Sequence, residues 1–218
     1  FALVALTLWL GQWQAGRATE KAGRQALLEA RVAEPPLVIA GRVRDAEEVL
    51  FRRVRALGHF DAAGQVFIDN RVHGGRAGFH VITPLALGEG GPFLLVNRGW
   101  AARTADDPAP PQAPVPAGEQ WVEGLATIPS KRFVELSGDT VSGSAWQNLS
   151  VERYAQRTGR EVLPVVVLAD PPGAGLAAVT EKPDAGIAKH QEYSLTWFSL
   201  AATVAALWLG LNFRRVKP

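Results

Sequence analysis

The run from Leu195 to Phe213 contains no charged residue and is followed at once by Arg214-Arg215-Val216-Lys217. Its nineteen or so residues, at a helical rise of about 1.5 Å each, reach roughly 28 Å, close to the thickness of a bilayer's hydrocarbon core. The run therefore reads as a transmembrane helix, and the rest of the chain must be arranged around a membrane anchor. His190 stands one turn outside its start, with Tyr193 (i+3) and Trp197 (i+7) on the same helical face.

The start of the chain is apolar as well. Phe1 to Trp13 covers only about 20 Å as a helix, and the sequence contains no methionine, so further residues are expected upstream to complete a span. A secretory signal peptide has an apolar core this short, but no small-x-small cleavage site follows, and Trp13-Gln14-Ala15-Gly16-Arg17 resembles an interfacial exit. Two terminal spans put both termini on one side of the membrane. The Arg-Arg-x-Lys tail marks that side as cytoplasmic, because long translocated domains escape the positive-inside bias that short flanks obey. The expected fold is an α+β membrane protein, with two terminal transmembrane helices flanking a mainly antiparallel, β-rich extramembrane domain that carries short helices. The expected divisions are a first transmembrane helix at 1–16, an extracytoplasmic domain at 17–188, a second transmembrane helix at 189–213 and a cytoplasmic tail at 214–218. The expected location is a bacterial inner membrane, with the central domain periplasmic.

Within that domain, Arg17 to Ala33 continues the first helix into solvent until Pro35-Pro36 ends it. Asp45 can cap a short turn, and a strand is expected from Leu50 to Gly58. Gln65–Asn70 and Phe79–Leu85 read as successive antiparallel strands around a glycine-rich turn, and Phe93–Trp100 as another. Asp106 to Pro116 holds five prolines and is expected to be an extended surface loop. Gln120–Ile128 alternates as a half-buried strand does. Ser150 and Gly159 would bound a short amphipathic helix, and Glu161–Ala169 is strongly strand-like, its Pro164 suggesting an edge position or a strand start.

Charge and composition exclude several functions. Lys+Arg 23 against Asp+Glu 21 leaves a net charge of +2, too small to indicate a nucleic-acid partner. With no cysteine, thiolate metal sites, cysteine nucleophiles and disulfides are all ruled out. No nucleophile elbow, zinc-protease helix, Walker loop or dinucleotide fingerprint is present. Ser142-Gly143-Ser144 and Asp106-Asp107 read as solvated turns, so no enzymatic activity is expected. His73 and His80 flank the glycine turn, but their spacing matches no standard metal pattern.

His190 is different in position. A neutral imidazole at the membrane edge suits a lipophilic porphyrin whose propionates stay wet, with Tyr193 and Trp197 as an aromatic surface beside it. An interfacial belt of His, Tyr and Trp explains the same residues. Trp13 and Arg17 leave the membrane at the same depth as His190, so Arg17 could meet a propionate or simply snorkel.

Leu10-Gly11-Gln12-Trp13-Gln14 with Arg17, Asp69-Asn70-Arg71-Val72, Gly75-Arg76-x-Gly78-Phe79-His80-Val81-Ile82-Thr83-Pro84-Leu85, Leu95-Val96-Asn97-Arg98-Gly99-Trp100 and His190-x-x-Tyr193-x-x-Thr196-Trp197-Phe198 follow one another between the two spans. In this order and spacing the chain resembles the surfeit locus protein 1 family. The resemblance implies an assembly factor for haem-copper cytochrome c oxidase that binds haem a and assists its insertion into subunit I, with His190 as the haem ligand. Subunit I is the implied partner, alongside haem A synthase, other oxidase assembly factors and the lipid bilayer. Asn70, Arg71, Asn97, Arg98, Gly99 and Trp100 match the family's segments, either as a partner surface or as hairpin turns and buried strand positions. Glu192 beside His190 could orient the imidazole. The alternative is a haem-free scaffold that stabilises an oxidase assembly intermediate or resides in a respiratory complex.

Overall fold

The structure, a computed structural model, describes residues 2–43, 45–104, 109–129, 141–180 and 186–213, with residues 141 and 142 described by their backbone. Asp106-Asp107 and the 214–218 tail lie outside the described residues. The chain divides into two compact units, Phe1–Ala30 with Lys182–Pro218, and Arg31–Glu181.

The first unit is built on two helices. Helix α1, Ala2–Val32, runs without interruption from its apolar first half into a charged second half, and Pro35-Pro36 follow its end. The last helix of the chain, α4, spans Ile187–Asn212. It is the one helix among the described residues long and apolar enough to cross a membrane. Small residues let the two helices approach. Phe198 lies over Gly11, where an added Cβ would meet the ring at 2.8 Å, and the Ser194 hydroxyl donates to the Gly11 carbonyl at 3.0 Å. Close approach at small residues is how helices associate where water supplies no hydrophobic drive.

The second unit is organised by one nine-stranded sheet. In chain order it contains β1 (Leu37–Ile39), α2 (Ala46–Val49), β2 (Arg53–Phe60), a 3-10 turn (Ala62–Gly64), β3 (Val66–His73), β4 (Arg76–Ala86), β5 (Phe93–Ala102), β6 (Glu119–Thr127), β7 (Val141–Ser142), β8 (Ala145–Trp146), α3 (Val151–Thr158) and β9 (Val162–Ala169). The strand order is β1-β2-β6-β9-β5-β4-β3-β8-β7. Pairing of His59 and Phe60 with Ala86 and Leu85 brings β4 back onto β2, so β2, β6, β9, β5 and β4 close into a ring. Strand alternation fills that ring: Val54, Ala56, Leu85, Leu94, Val96, Val122, Ala126, Leu163, Val165 and Val167 form one buried cluster. A second cluster, Val66, Ile68, Ile82, Leu95 and Val166, packs with Val151 and Tyr154 of α3. Ser150 caps α3 by accepting from the Arg153 N–H, and Gly159 ends it at φ 65°.

One expectation changes and two are refined. The strand expected from Leu50 begins at Arg53, because the Asp45-capped turn and Phe51, at φ 61°, occupy the preceding residues. Pro164, expected at an edge or at a strand start, lies near the start of β9, and that strand is an inner one, between β6 and β5. The proline falls in a register irregularity on the β5 side, where Val162 and Val166 pair with Phe93 and Leu95, and before β6 pairing begins at Val166. A missing N–H is tolerated at such a place. The proline-rich loop has no regular structure over 109–116, yet Ala113 is buried with Phe67, Phe79 and Val81. Ala113 alone of these described loop residues reaches the core; Ala109, Gln112, Pro114 and Pro116 are exposed, as expected of a surface loop.

Candidate functional site

Two groups of residues were singled out by sequence, and the structure places each within one unit. In the helical unit His190 is half-buried, and its Nδ1 lies 2.6 Å from Gln14 Oε1 on α1. With a carbonyl oxygen facing it, Nδ1 carries the proton and donates, so Nε2 keeps its lone pair. Gln14 is three residues after Gly11, and His190 is four before Ser194. The pair is thus one turn away from the Ser194–Gly11 bond, on the same two faces.

The residues flanking His190 are arranged differently from that pair. Tyr193 is 47% exposed and Trp13 49% exposed, while Trp197 is half-buried. The Lys189 ammonium lies 5.9 Å from the Tyr193 ring centroid. Arg17 is exposed and pairs with Glu20 at 2.7 Å, one turn along its own helix. Glu192 is exposed, and its backbone carbonyl accepts from Thr196. The group that holds the imidazole is therefore Gln14, which the sequence reading did not single out. Around Gln14, α1 passes from apolar to charged residues, and no hydrophobic stripe there marks the facing side. Gly11 and Ser194, the small residues at the contact, were the available signal.

In the sheet unit, the family-like segments meet around two bulges. On β3 the register with β4 shifts between Ile68 and Arg71, and Asn70 takes φ 57° there. Asn and Asp tolerate that left-handed region better than other side chains. The hairpin turn itself is Gly74-Gly75, at φ 55° and 78°, the two-residue turn that matches strand twist. On β5 the register shifts at Arg98, since Val81 pairs with Gly99 and Ile82 with Asn97. Asn97, buried, spans this bulge by accepting from the Gly99 N–H at 3.1 Å.

Arg98 is 3% exposed. Its guanidinium donates to Gln65 Oε1 at 3.1 Å and to the Pro114 carbonyl at 2.6 Å, and lies 5.6 Å from the Phe60 ring centroid. Gln65 Oε1 also accepts from Thr83 at 2.8 Å, and its amide donates to the Ala113 carbonyl at 3.1 Å. Burial lowers the Arg98 pKa, because desolvation disfavours the charged form. Arg98 fastens the proline-rich loop to the sheet.

Trp100 closes the other bulge. Its indole N–H donates to the Arg71 carbonyl at 2.7 Å, and His73 stacks on it at 5.2 Å. Arg71 donates to the Gln147 carbonyl at 3.1 Å, and Asp69 pairs with Arg103. Of the six residues that match the family's segments, Asn97, Arg98, Gly99 and Trp100 are buried, Arg71 is half-buried and Asn70 is exposed. Among the described residues no group of three or more His, Asp or Glu side chains gathers to hold a metal ion.

Burial, then Arg71, then His73, push the His80 imidazole down to about 4. The depressed value means that the unfolded chain binds the proton first as pH falls. Stability is full above 6.5, the ordinary value, and is lost as pH falls through 6.5 towards 4. The expected loss is about 2–3 kcal/mol by pH 4, and His80→Gln removes that part of the pH dependence. Denaturant midpoints of both proteins at pH 7 and pH 4 measure it; parallel pH profiles refute it.

The model of the SURF1 family matches residues 1–202. Surfeit locus protein 1 of Mus musculus is 27% identical over 229 residues, covering 97% of this chain and 74% of the mouse protein. The Homo sapiens protein of that name is 26% identical over 96% of this chain and 74% of its own length. A SURF1-like protein of Drosophila melanogaster is 25% identical over 97% of this chain and 76% of its own length. The chain belongs to the surfeit locus protein 1 family.

Proposed function

We propose that this protein is a membrane-anchored assembly factor for haem-copper cytochrome c oxidase, which holds haem a at His190 and assists its insertion into subunit I without catalysing a reaction. Family membership supplies the context. The observation that carries the reading is the imidazole of His190, with Nδ1 held by Gln14 and the Nε2 lone pair left free to bind a metal, at the polar start of a membrane-length helix. Haem would supply an iron that binds a nitrogen ligand, and a hydrophobic macrocycle with two carboxylates.

The residues present fit such a group. His190 offers the nitrogen, Tyr193 and Trp197 lie along its helical face, and Lys189 and Arg17 are cations near the same helix ends. Among the described residues Arg17 is paired with an exposed glutamate, so a propionate can compete for it. In this reading α4 and the apolar start of α1, where Leu3, Leu6, Leu8 and Trp9 are exposed, are the two spans. The cationic tail sets both termini in the cytoplasm of a bacterial cell, and residues 17–188 lie in the periplasm. The partners are subunit I and, upstream of it, haem A synthase.

Haem a that co-purifies with the wild-type protein should fall about tenfold or more in His190→Ala, read from the visible spectrum at matched protein concentration. Unchanged haem content in that variant sinks the ligand assignment. A haem-free scaffold is the second reading, favoured by the exposed valines Val38 on the short strand β1 and Val72 on β3. Stable recovery of a haem-free protein with an oxidase subunit in mild detergent would select it.

A further inference from the structure

We infer that Gln14 is a positioning residue for haem at His190, fixing the ring's tautomer and plane through Nδ1 so that Nε2 faces the iron. The inference rests on the proposed haem site and deepens it. The contact is tertiary: Gln14 and His190 come from opposite ends of the chain, on different helices, and meet at 2.6 Å. It is also held in register. Sliding either helix to break it would separate Ser194 from the Gly11 carbonyl and lift Phe198 off Gly11.

The choice of an amide has a chemical consequence. A histidine ligand whose second nitrogen donates to a carboxylate becomes more basic and binds its metal more strongly, whereas a neutral carbonyl acceptor orients the ring with less added charge. Orientation without strong electron donation suits a site that must also release its cargo. Glu192 is adjacent in sequence, but it is exposed and no hydrogen bond joins it to the ring. Among the described residues the neutral Gln14 oxygen is the group that meets Nδ1.

The test uses the full chain in detergent, titrated with haem a, in wild type, Gln14→Leu, Gln14→Glu and His190→Ala. Three quantities are measured: the haem dissociation constant, the iron–imidazole stretching frequency of the ferrous complex, and helix content by circular dichroism. Gln14→Leu should weaken haem binding by about 10- to 100-fold and lower the stretching frequency, with helix content unchanged. Gln14→Glu should restore affinity and raise the frequency above that of wild type, which an effect on helix packing alone would not do. If His190→Ala binds haem a as wild type does, the haem-site reading itself falls. If His190→Ala loses haem while Gln14→Leu keeps wild-type affinity and frequency, only the role of Gln14 is overturned. The same holds if Gln14→Glu fails to recover what Gln14→Leu loses.

Discussion

Replacing Tyr154 by alanine should destabilise the 31–181 unit by about 3–5 kcal/mol, and replacing it by phenylalanine by about 1–3 kcal/mol. Tyr154 is 0% exposed and is the side chain through which α3 enters the sheet. Its ring lies 5.9 Å from that of Trp146 and packs among Val66, Ile68, Ile82 and Val166. Removing it empties a large volume that short, sheet-bound neighbours cannot refill. The hydroxyl donates to the Gly64 carbonyl at 2.7 Å, and a Cβ at Gly64 would lie 2.6 Å from the Tyr154 hydroxyl oxygen. Phenylalanine keeps the packing but leaves the buried carbonyl unpaired. Burial pushes the phenol up to about 12, so its native form holds the proton after the unfolded chain has lost it. Stability should therefore fall as pH rises above 10, the ordinary value, and Tyr154→Phe should lack that alkaline decline. Denaturant unfolding followed by tryptophan fluorescence measures all three effects. A Tyr154→Ala protein within 1 kcal/mol or so of wild type would contradict the packing account.

Much of this fold was legible because its signals are local. Ser150 and Gly159 bracket α3 as cap chemistry requires, and the glycine pair between β3 and β4 sits at the positive φ that only glycine adopts freely. What the sequence could not show is non-local. The closing contact of β4 on β2 involves residues some 25 positions apart and leaves no mark beyond the small Gly58, whose Cβ would meet the Ala86 carbonyl at 2.2 Å. Of the two places Pro164 suggested, an edge or a strand start, the structure gives the start of an inner strand, and that choice depends on neighbours, not on the strand's own residues. At the helical site His190 was legible from its place at the mouth of an apolar helix. Gln14 was not, because its significance comes from facing a residue at the other end of the chain. Trp13 and Arg17 were chosen by depth along the helix. Depth alone does not fix which way a side chain points, and both are exposed.

The asparagine-arginine and glycine-tryptophan segments that made the chain recognisable are explained largely by packing between β3, β4 and β5. Asn70 and Arg98 mark the bulges, Asn97 spans one of them, and Trp100 joins β5 to β3 through the Arg71 carbonyl. Gly78 is the floor of this arrangement. A Cβ added there would lie 2.2 Å from the Ala101 carbonyl and 2.6 Å from the Trp100 indole. The indole can be held against the strand only because that position carries no side chain. Gly78→Val should therefore cost about 3 kcal/mol or more, since the paired strand cannot move away and Trp100 must leave. Once it leaves, the stack with His73 and the bond to the Arg71 carbonyl are lost together. Water then reaches His80, and its pKa should rise from about 4 towards 6.5. Histidine NMR titration of the folded variant, beside a denaturation curve, separates the local opening from the global loss. A Gly78→Val protein with wild-type stability and an unmoved His80 titration would show that Trp100 does not depend on the empty position beneath it.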